Sequence, residues 1–363
     1  MQLNNLVEII MGQAPPSKSC NKDGNGTIFV KVGEFGEKNP RISEWTSKPI
    51  KIAKEGDILI CVVGSIGEIN IASFPCAIGR SVAAIRSKSK DLDQKYLFYF
   101  LKNQINYFKK KSQGVAQAVI TKEMINSTEL LLPSLGEQQR IASILDKATS
   151  VKEKRKQGIA KLDELVQTIY YEMFNNCPEK VSIRDIVINN RIIDNLSDDS
   201  IWSLSLEHVE SQSGNLINKI MIDRKKLGSS TFYFQPPVVL YSKLRPYLNK
   251  VIIPKESGYA TSELIPLYLN DKVLPIFLAT VLRSKKFVEY ANINSVGAKM
   301  PRVIMDKFWD YKIPLPIIDK QQKFLKIFNS IENTKKNYLN SHSQAQLLIN
   351  SIQHQAFTAG SNI

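Results

Sequence analysis

Histidine is scarce in this chain, and cysteine is not spaced for metal or disulfide chemistry. The three histidines, His208, His342 and His354, are too few and too scattered for a histidine-rich metal site. The four cysteines, Cys20, Cys61, Cys76 and Cys177, form no Cys-x-x-Cys pair. Zinc ribbons and disulfide scaffolds are therefore not expected, and a reducing cytoplasm fits. No apolar run reaches the ~18 residues of a membrane span. The opening MQLNNLVEIIMGQAPP has no basic segment ahead of an apolar core, so no signal peptide is expected.

What is present is a basic chain with ample core material. Its 363 residues are 43% hydrophobic and 23% charged, enough for two or three domains at roughly 100–200 residues each. Lys and Arg number 49 against 34 Asp plus Glu, a net charge of +15. Such a surplus implies a polyanionic partner, with nucleic acid ahead of an anionic membrane surface.

The chain repeats itself. Leu132-Pro133-Ser134-Leu135-Gly136-Glu137-Gln138-Gln139-Arg140 answers Leu315-Pro316-Ile317-Ile318-Asp319-Lys320-Gln321-Gln322-Lys323, each residue 183 positions on. The same step carries Gly114 onto Gly297, Leu165 onto Leu348 and Phe174 onto Phe357. Further upstream the step is 181, taking Tyr96-Leu97 onto Phe277-Leu278 and Ile58-Leu59-Ile60 onto Val239-Leu240-Tyr241. Two divergent copies, roughly 1–178 and 179–363, follow.

Each copy opens with short β-branched and aromatic runs broken by Gly, Pro, Asn and Asp, such as GDILICVV and PVVLYS, which predict strands. One helix is expected in each, over YLFYFLKNQINYFKKK and over PIFLATVLRSKKFVEYA. A Pro-rich junction then leads into a segment of helical periodicity. A heptad frame puts Ile141, Ala148, Leu162 and Ile169 at a, and Ile144, Val151 and Leu165 at d. In the second copy Phe324, Ile331, Tyr338, Ala345 and Ile352 take a, with Ile327 and Leu348 at d. A helix of about 38 residues would run ~57 Å. That outreaches a domain of this size, so its seam needs a partner, and the other copy supplies one.

The fold expected is α+β: two mixed strand-rich domains separated by two long helices that pair with one another, with an internal repeat. The boundaries are 1–133 for the first domain, 134–177 for its helix, 178–316 for the second domain and 317–363 for its helix.

Motifs for chemistry are missing. There is no GxxxxGK[ST] phosphate cradle and no GxSxG elbow. A base methyltransferase needs a cofactor-binding glycine motif and a polar-Pro-Pro-aromatic loop. The nearest string, Phe234-Gln235-Pro236-Pro237-Val238, ends in an aliphatic residue and predicts a turn entering a strand. A nuclease needs carboxylates and a Lys around Mg²⁺; Asp93-Gln94-Lys95 and Asp223-Arg224-Lys225 are short matches of a kind common by chance. Gly64-Ser65-Ile66-Gly67 predicts a tight turn between strands. No catalytic residue, metal ligand or cofactor is assigned.

Basic and amide side chains recur at matching places. Gln113, Gln117 and Lys122 follow the lysine-rich end of the first short helix, while Lys299 and Arg302 occupy the matching loop of the second copy. Lys243, Arg245 and Tyr247 stand beside a strand. Arg and Lys read guanine edges or hold phosphates, and Gln reads adenine, so these are the candidate DNA-binding residues.

LPSLGEQQRIASILD opening a long helix that ends near YEMF, the whole plan repeated once, resembles the specificity subunit of a type I restriction-modification system. The opening LVEIIMGQAPPSK and the segment Lys243-Leu244-Arg245-Pro246-Tyr247-Leu248-Asn249-Lys250 fit the same pattern. The resemblance covers the whole chain, although Asp319-Lys320 stands where the first copy has Gly136-Glu137. It implies two target recognition domains reading a bipartite double-stranded DNA site, long helices paired as an antiparallel coiled coil with pseudo-two-fold symmetry and acting as a spacer, and no catalysis. It also implies two methyltransferase (modification) subunits as partners, and restriction/translocase subunits recruited through them. Antiparallel pairing would leave part of each helix stripe uncovered, so Leu145, Val166, Ile169, Tyr170, Phe328, Ile349 and Ile352 are the expected partner-binding residues. A catalytic nuclease or a self-sufficient methyltransferase is the alternative; turnover on DNA without added subunits would discriminate. A helical scaffold whose charge serves solubility is a second, separated by the salt dependence of DNA binding.

Overall fold

The computed structural model describes residues 1–112, 118–189, 192, 194 and 199–358. The chain forms two compact units, Met1–Arg155 with Asn340–Ile363, and Lys156–Leu339. Among the described residues no helix is long and apolar enough to cross a membrane.

In the first unit a four-stranded antiparallel sheet runs in the order Val7–Met11, Val82–Ser87, Ile58–Cys61, Ile69–Ile71. The strand Ile58–Cys61 is apolar throughout and buried on both faces, as a central strand must be. Alternation sorts its side chains: Ile58 and Ile60 join the core shared with the helices, while Leu59 and Cys61 join a second core. That second core lies against a mixed sheet in which Thr27–Val30 pairs parallel with Cys76–Ile78.

The second unit repeats the plan. Its four-stranded sheet runs Val187–Ile188, Leu264–Leu269, Val239–Ser242, Val251–Ile252. Val239 and Tyr241 face the helix-side core and Leu240 the other. A second sheet again holds one parallel pair, Ser200–Leu204 beside Gly258–Thr261. Pro236–Pro237, a cis peptide, precedes the central strand, in keeping with the turn predicted there. The isolated bridge Val63–Val119 in the first unit recurs as Leu244–Arg302 in the second, 181 and 183 residues on.

The first short helix is Gln94–Lys111, capped by Asp93, whose carboxylate accepts from the Tyr96 N–H. Its counterpart is not continuous. Pro275–Arg283 ends and Lys285–Ile293 begins at Ser284, which adopts an extended backbone and accepts from the Phe287 N–H. A serine that can cap a new helix made the break invisible to periodicity alone.

The long helices are Leu135–Phe174 and Ile318–Thr358. In the first unit Ile141, Leu145 and Ala148 share a core with Ile349 and Phe357. In the second unit Val166, Tyr170 and Phe174 share one with Phe324 and Ile331. Within each unit the numbers rise on one helix as they fall on the other, so the pairing is antiparallel. Each long helix thus gives one half to each unit.

The buried stripe keeps the heptad frame at a, where Ile141, Ala148, Phe324, Ile331 and Ala345 are buried, but not at d. Ile141, Lys152, Asp163 and Phe174 step by 11 residues, as do Phe324, Lys335, Gln346 and Phe357. Along these steps Ile141, Phe174, Phe324, Lys335 and Phe357 are buried, Lys152 and Gln346 are half-buried and Asp163 is exposed. An 11-residue step is ~3.67 residues per turn, close to a straight α-helix, whereas a heptad demands ~3.5. Of the frame's d positions Val151, Leu165, Ile327 and Leu348 are exposed and Ile144 is half-buried.

The expected partner-binding residues lie in or against the chain's own cores. Leu145, Val166, Tyr170 and Ile349 are buried in the chain's own cores. Ile169 and Phe328 are half-buried against the second unit's core and Ile352 against the first's. The short helices and the sheet cover the side of the stripe that two helices alone would leave open.

Candidate nucleic-acid interface

In the second unit the central strand delivers Lys243, Arg245 and Tyr247 beside the hairpin that carries Lys299 and Arg302. Five residues far apart in sequence are brought together by backbone bonds. Lys243 N–H donates to the Glu263 carbonyl at 3.1 Å, and its own carbonyl accepts from Val303 N–H at 2.9 Å. Arg245 N–H donates to the Pro301 carbonyl at 2.7 Å. Strands Ser295–Val296 and Arg302–Val303 form the hairpin, and Gly297 takes φ 105°, a left-handed conformation open to glycine. Lys299 stands exposed in its loop.

Arg245 turns left-handed, φ 50°, to start the helical turn Pro246–Leu248, and Asn249, also φ 50°, ends it. The turn is braced from outside. Asn249 Nδ2 donates to the Arg283 carbonyl at 3.1 Å, and Gln212 Nε2 to the Tyr247 carbonyl at 3.0 Å. Arginine in that region costs of order 1–3 kcal/mol, and its Nε is sealed from water without an acceptor. Tyr247 stands exposed. A strained backbone and an orphaned donor beside an exposed ring and an exposed lysine mark a loop shaped for more than packing.

Arg302 is differently placed. Its guanidinium forks onto Glu263, with Nη2 at 2.8 Å and Nε at 3.3 Å. The Arg302 hydrogen bond holds the Glu263 carboxyl below the usual range, against a smaller upward push from burial, and Lys243 adds to the lowering. Glu263 was not picked out from sequence. Nothing short of pairing the loop with the strand Leu264–Leu269 would have put it there.

In the first unit the same scaffold holds different side chains. Ile120 N–H donates to the Val62 carbonyl at 2.9 Å, repeating the Val303–Lys243 bond. Gly64 and Gly67 are left-handed, φ 86° and 87°, in the tight turn between Ile58–Cys61 and Ile69–Ile71. Lys122 is exposed at the first turn of the helix Lys122–Asn126, capped by Thr121. Gln113 and Gln117 lie outside the described residues.

A feature of the repeated tail, whose role the sequence did not disclose, joins the helices of each unit. Gln138 is fully buried; its Nε2 donates to the carbonyls of Asp91, 2.8 Å, and Pro133, 2.9 Å, and its Oε1 accepts from Asp93 N–H, 2.9 Å. Gln321 does the same with Lys272, 2.8 Å, Pro316, 2.8 Å, and Leu274 N–H, 2.9 Å. Each amide clasps the start of a long helix to the start of a short one. The clasp requires both donor and acceptor on one side chain, which explains glutamine at these two places.

Two copies of one scaffold, each bridging the end of its central strand to a later segment, Val63–Val119 and Leu244–Arg302, define a duplicated protein. A family model described as the type I restriction modification DNA specificity domain matches residues 1–162 and 220–347, and the chain belongs to that family. A putative type I restriction enzyme specificity subunit, MjaX of Methanocaldococcus jannaschii, is 38% identical over 170 residues, covering 45% of this chain and 39% of that protein. The EcoDI specificity subunit of Escherichia coli is 21% identical over 404 aligned positions, covering 98% of this chain and 87% of that one. The crystal structure of a type I system S subunit from M. genitalium shares the fold, with TM-score 0.55 at 15% identity over 98% of this chain and 95% of that one. The chain is a DNA specificity subunit, a recognition component rather than a catalytic one.

Proposed function

We propose that the chain reads a bipartite double-stranded DNA target, one half-site with each strand-rich domain. The observation that supports this is the repeated bridge, Val63–Val119 and Leu244–Arg302, which sets matching segments beside the same strand end in both units, with Lys122 following it in the first and Lys299 preceding it in the second. In the second unit Lys243, Arg245, Tyr247 and Lys299 meet the DNA. In the first, Lys122 does so, with Gln113 and Gln117 flanking it. Arg302 orients Glu263 and the hairpin, and its charge is available only in part.

The subunit works in the cytoplasm and assembles with two methyltransferase subunits and, through them, restriction/translocase subunits. The exposed apolar residues Val151, Leu165, Ile327 and Leu348 on the long helices supply that contact. A partner that covers these side chains takes their apolar surface out of water, which favours association.

Filter binding tests the DNA reading. Lys122→Glu and Lys299→Glu should each weaken binding, each against its own half-site, with affinity falling steeply as salt rises. Unchanged affinity of both at low salt would overturn it. Leu165→Glu should lower co-purification with the modification subunit while the fold is kept, whereas Ile169→Glu should disturb the second unit's core.

A further inference from the structure

The second unit contains a cleft of about 890 Å³ that the DNA reading does not use. Its origin is visible by comparison with the matching place in the first unit. There Tyr99 fills the space; its hydroxyl donates to Asp146 at 2.8 Å, and Lys95 and Lys38 close on the same carboxylate at 3.0 and 3.3 Å. The repeat carries Tyr99 onto Thr280, Lys95 onto Ile276 and Asp146 onto Asn329. All three replacements line the cleft. The phenol and the carboxylate are gone together, and among the described residues none has taken their room.

The walls of the cleft carry polar atoms without partners. Trp202 is buried, and its Nε1–H meets no acceptor. The Nε of Arg283 is sealed and also lacks one; its Nη2 donates to the Val251 carbonyl at 2.5 Å. Gln167 Oε1 is an acceptor without a donor. The carboxylates near Arg283 are engaged elsewhere: Lys335 sits 2.5 Å from Asp163 and 3.7 Å from Glu332. Burial pushes the Arg283 guanidinium down from its usual range, against weaker upward pulls from Glu332 and Asp163. Lys219, which stands over the Trp202 ring, is paired with Glu256 at 2.5 Å.

A desolvated guanidinium with no carboxylate of its own is costly and calls for an anion. The remaining wall is apolar, including Val166, Ile252, Ile276 and Phe328. The volume is that of a small-molecule site. We propose that this cleft binds a small anion with an apolar body, a carboxylate or a phosphate. A side-chain shift that uncovers the sealed Arg283 Nε and Trp202 N–H lets its charged end meet them, and its body lies along the apolar wall. Gln167 accepts from any donor the ligand carries.

Isothermal titration of the full chain with benzoate, inorganic phosphate and choline tests this, with Trp fluorescence as a second readout. Saturable binding of benzoate or phosphate, with choline silent, is expected, and which anion binds tells carboxylate from phosphate. Arg283→Met should weaken it at least tenfold and Arg283→Lys less. Trp202→Phe, which deletes only the N–H and keeps a ring, should weaken it several-fold. Thr280→Tyr, which copies the first unit, should abolish it. Because Arg283→Met can disturb packing, Thr280→Tyr and Trp202→Phe carry the test if it does not fold. No saturable binding of either anion at millimolar concentration, or equal binding by Thr280→Tyr, would overturn the proposal. So would displacement of the probe by duplex DNA, which would make the cleft part of the DNA surface.

Discussion

Replacing Gln138 by leucine keeps the volume and deletes the clasp. Three backbone groups facing the buried amide then lose their partner at once, on the half-buried Asp93 (N–H) and Pro133 (carbonyl) and the exposed Asp91 (carbonyl). A buried polar group left unpaired costs about 1–3 kcal/mol. Leucine recovers part of this by burying apolar surface, and the junction relaxes, so a net loss of about 3 kcal/mol is expected for the first unit. For a unit of this size, each kcal/mol moves the melting temperature by roughly 2–4 °C. Gln138→Leu should therefore lower it by about 6–12 °C in scanning calorimetry. Gln321→Leu should act alike on the second unit. The two share no hydrogen-bond partner, so their effects should add within about 0.5 kcal/mol. Gln139, one residue on, is exposed, and Gln139→Ala is the control. If Gln138→Leu melts with the control, the clasp is not what holds the helix, and the account of the repeated glutamine fails.

Three other outcomes follow from the geometry. Gly158→Ala should destabilise by about 1 kcal/mol despite the better helix propensity of alanine, because the added Cβ would lie 2.5 Å from the Tyr338 ring. Tyr338→Ala in the same chain should cancel the loss, and thermal melts that show Gly158→Ala alone as stabilising would refute the contact. Glu263→Gln frees the Arg302 fork, so DNA affinity should rise and the log–log salt slope steepen by up to about one unit; titrations across salt with no change would place Arg302 away from DNA. Asp146 concerns pH. Burial pushes its carboxyl up, but Tyr99, Lys95 and Lys38 outweigh this and leave its pKa lowered. A depressed folded pKa stabilises above the unfolded value and is lost as pH falls through the folded one. The advantage of wild type over Asp146→Asn should thus hold from neutral pH down to about 5 and shrink below about 4, as urea titrations at each pH would show; a constant difference would refute it.

The repeat, the strand-rich plan and the two long helices were legible from sequence because each rests on local order. Apolar runs of strand length, a helical period and a recurring tail need no knowledge of the fold. The same holds for the basic loops, whose charge survives any folding. What the sequence could not disclose depends on which elements meet. The heptad frame was one choice of period, and only packing rotated the stripe so that Leu145 and Tyr170 went inward and Leu165 outward. Ser284 could equally continue a helix or cap one. Gln138 and Gln321 matched each other in sequence, yet their purpose lies in carbonyls about 47 and 49 residues upstream. Glu263 beside Arg302, and the space left where Thr280 replaces a tyrosine, exist only across strands and helices distant in the chain. Local periodicity is written in neighbouring residues. Burial, ion pairing and cavities are properties of surfaces brought together, and those the tertiary structure alone decided.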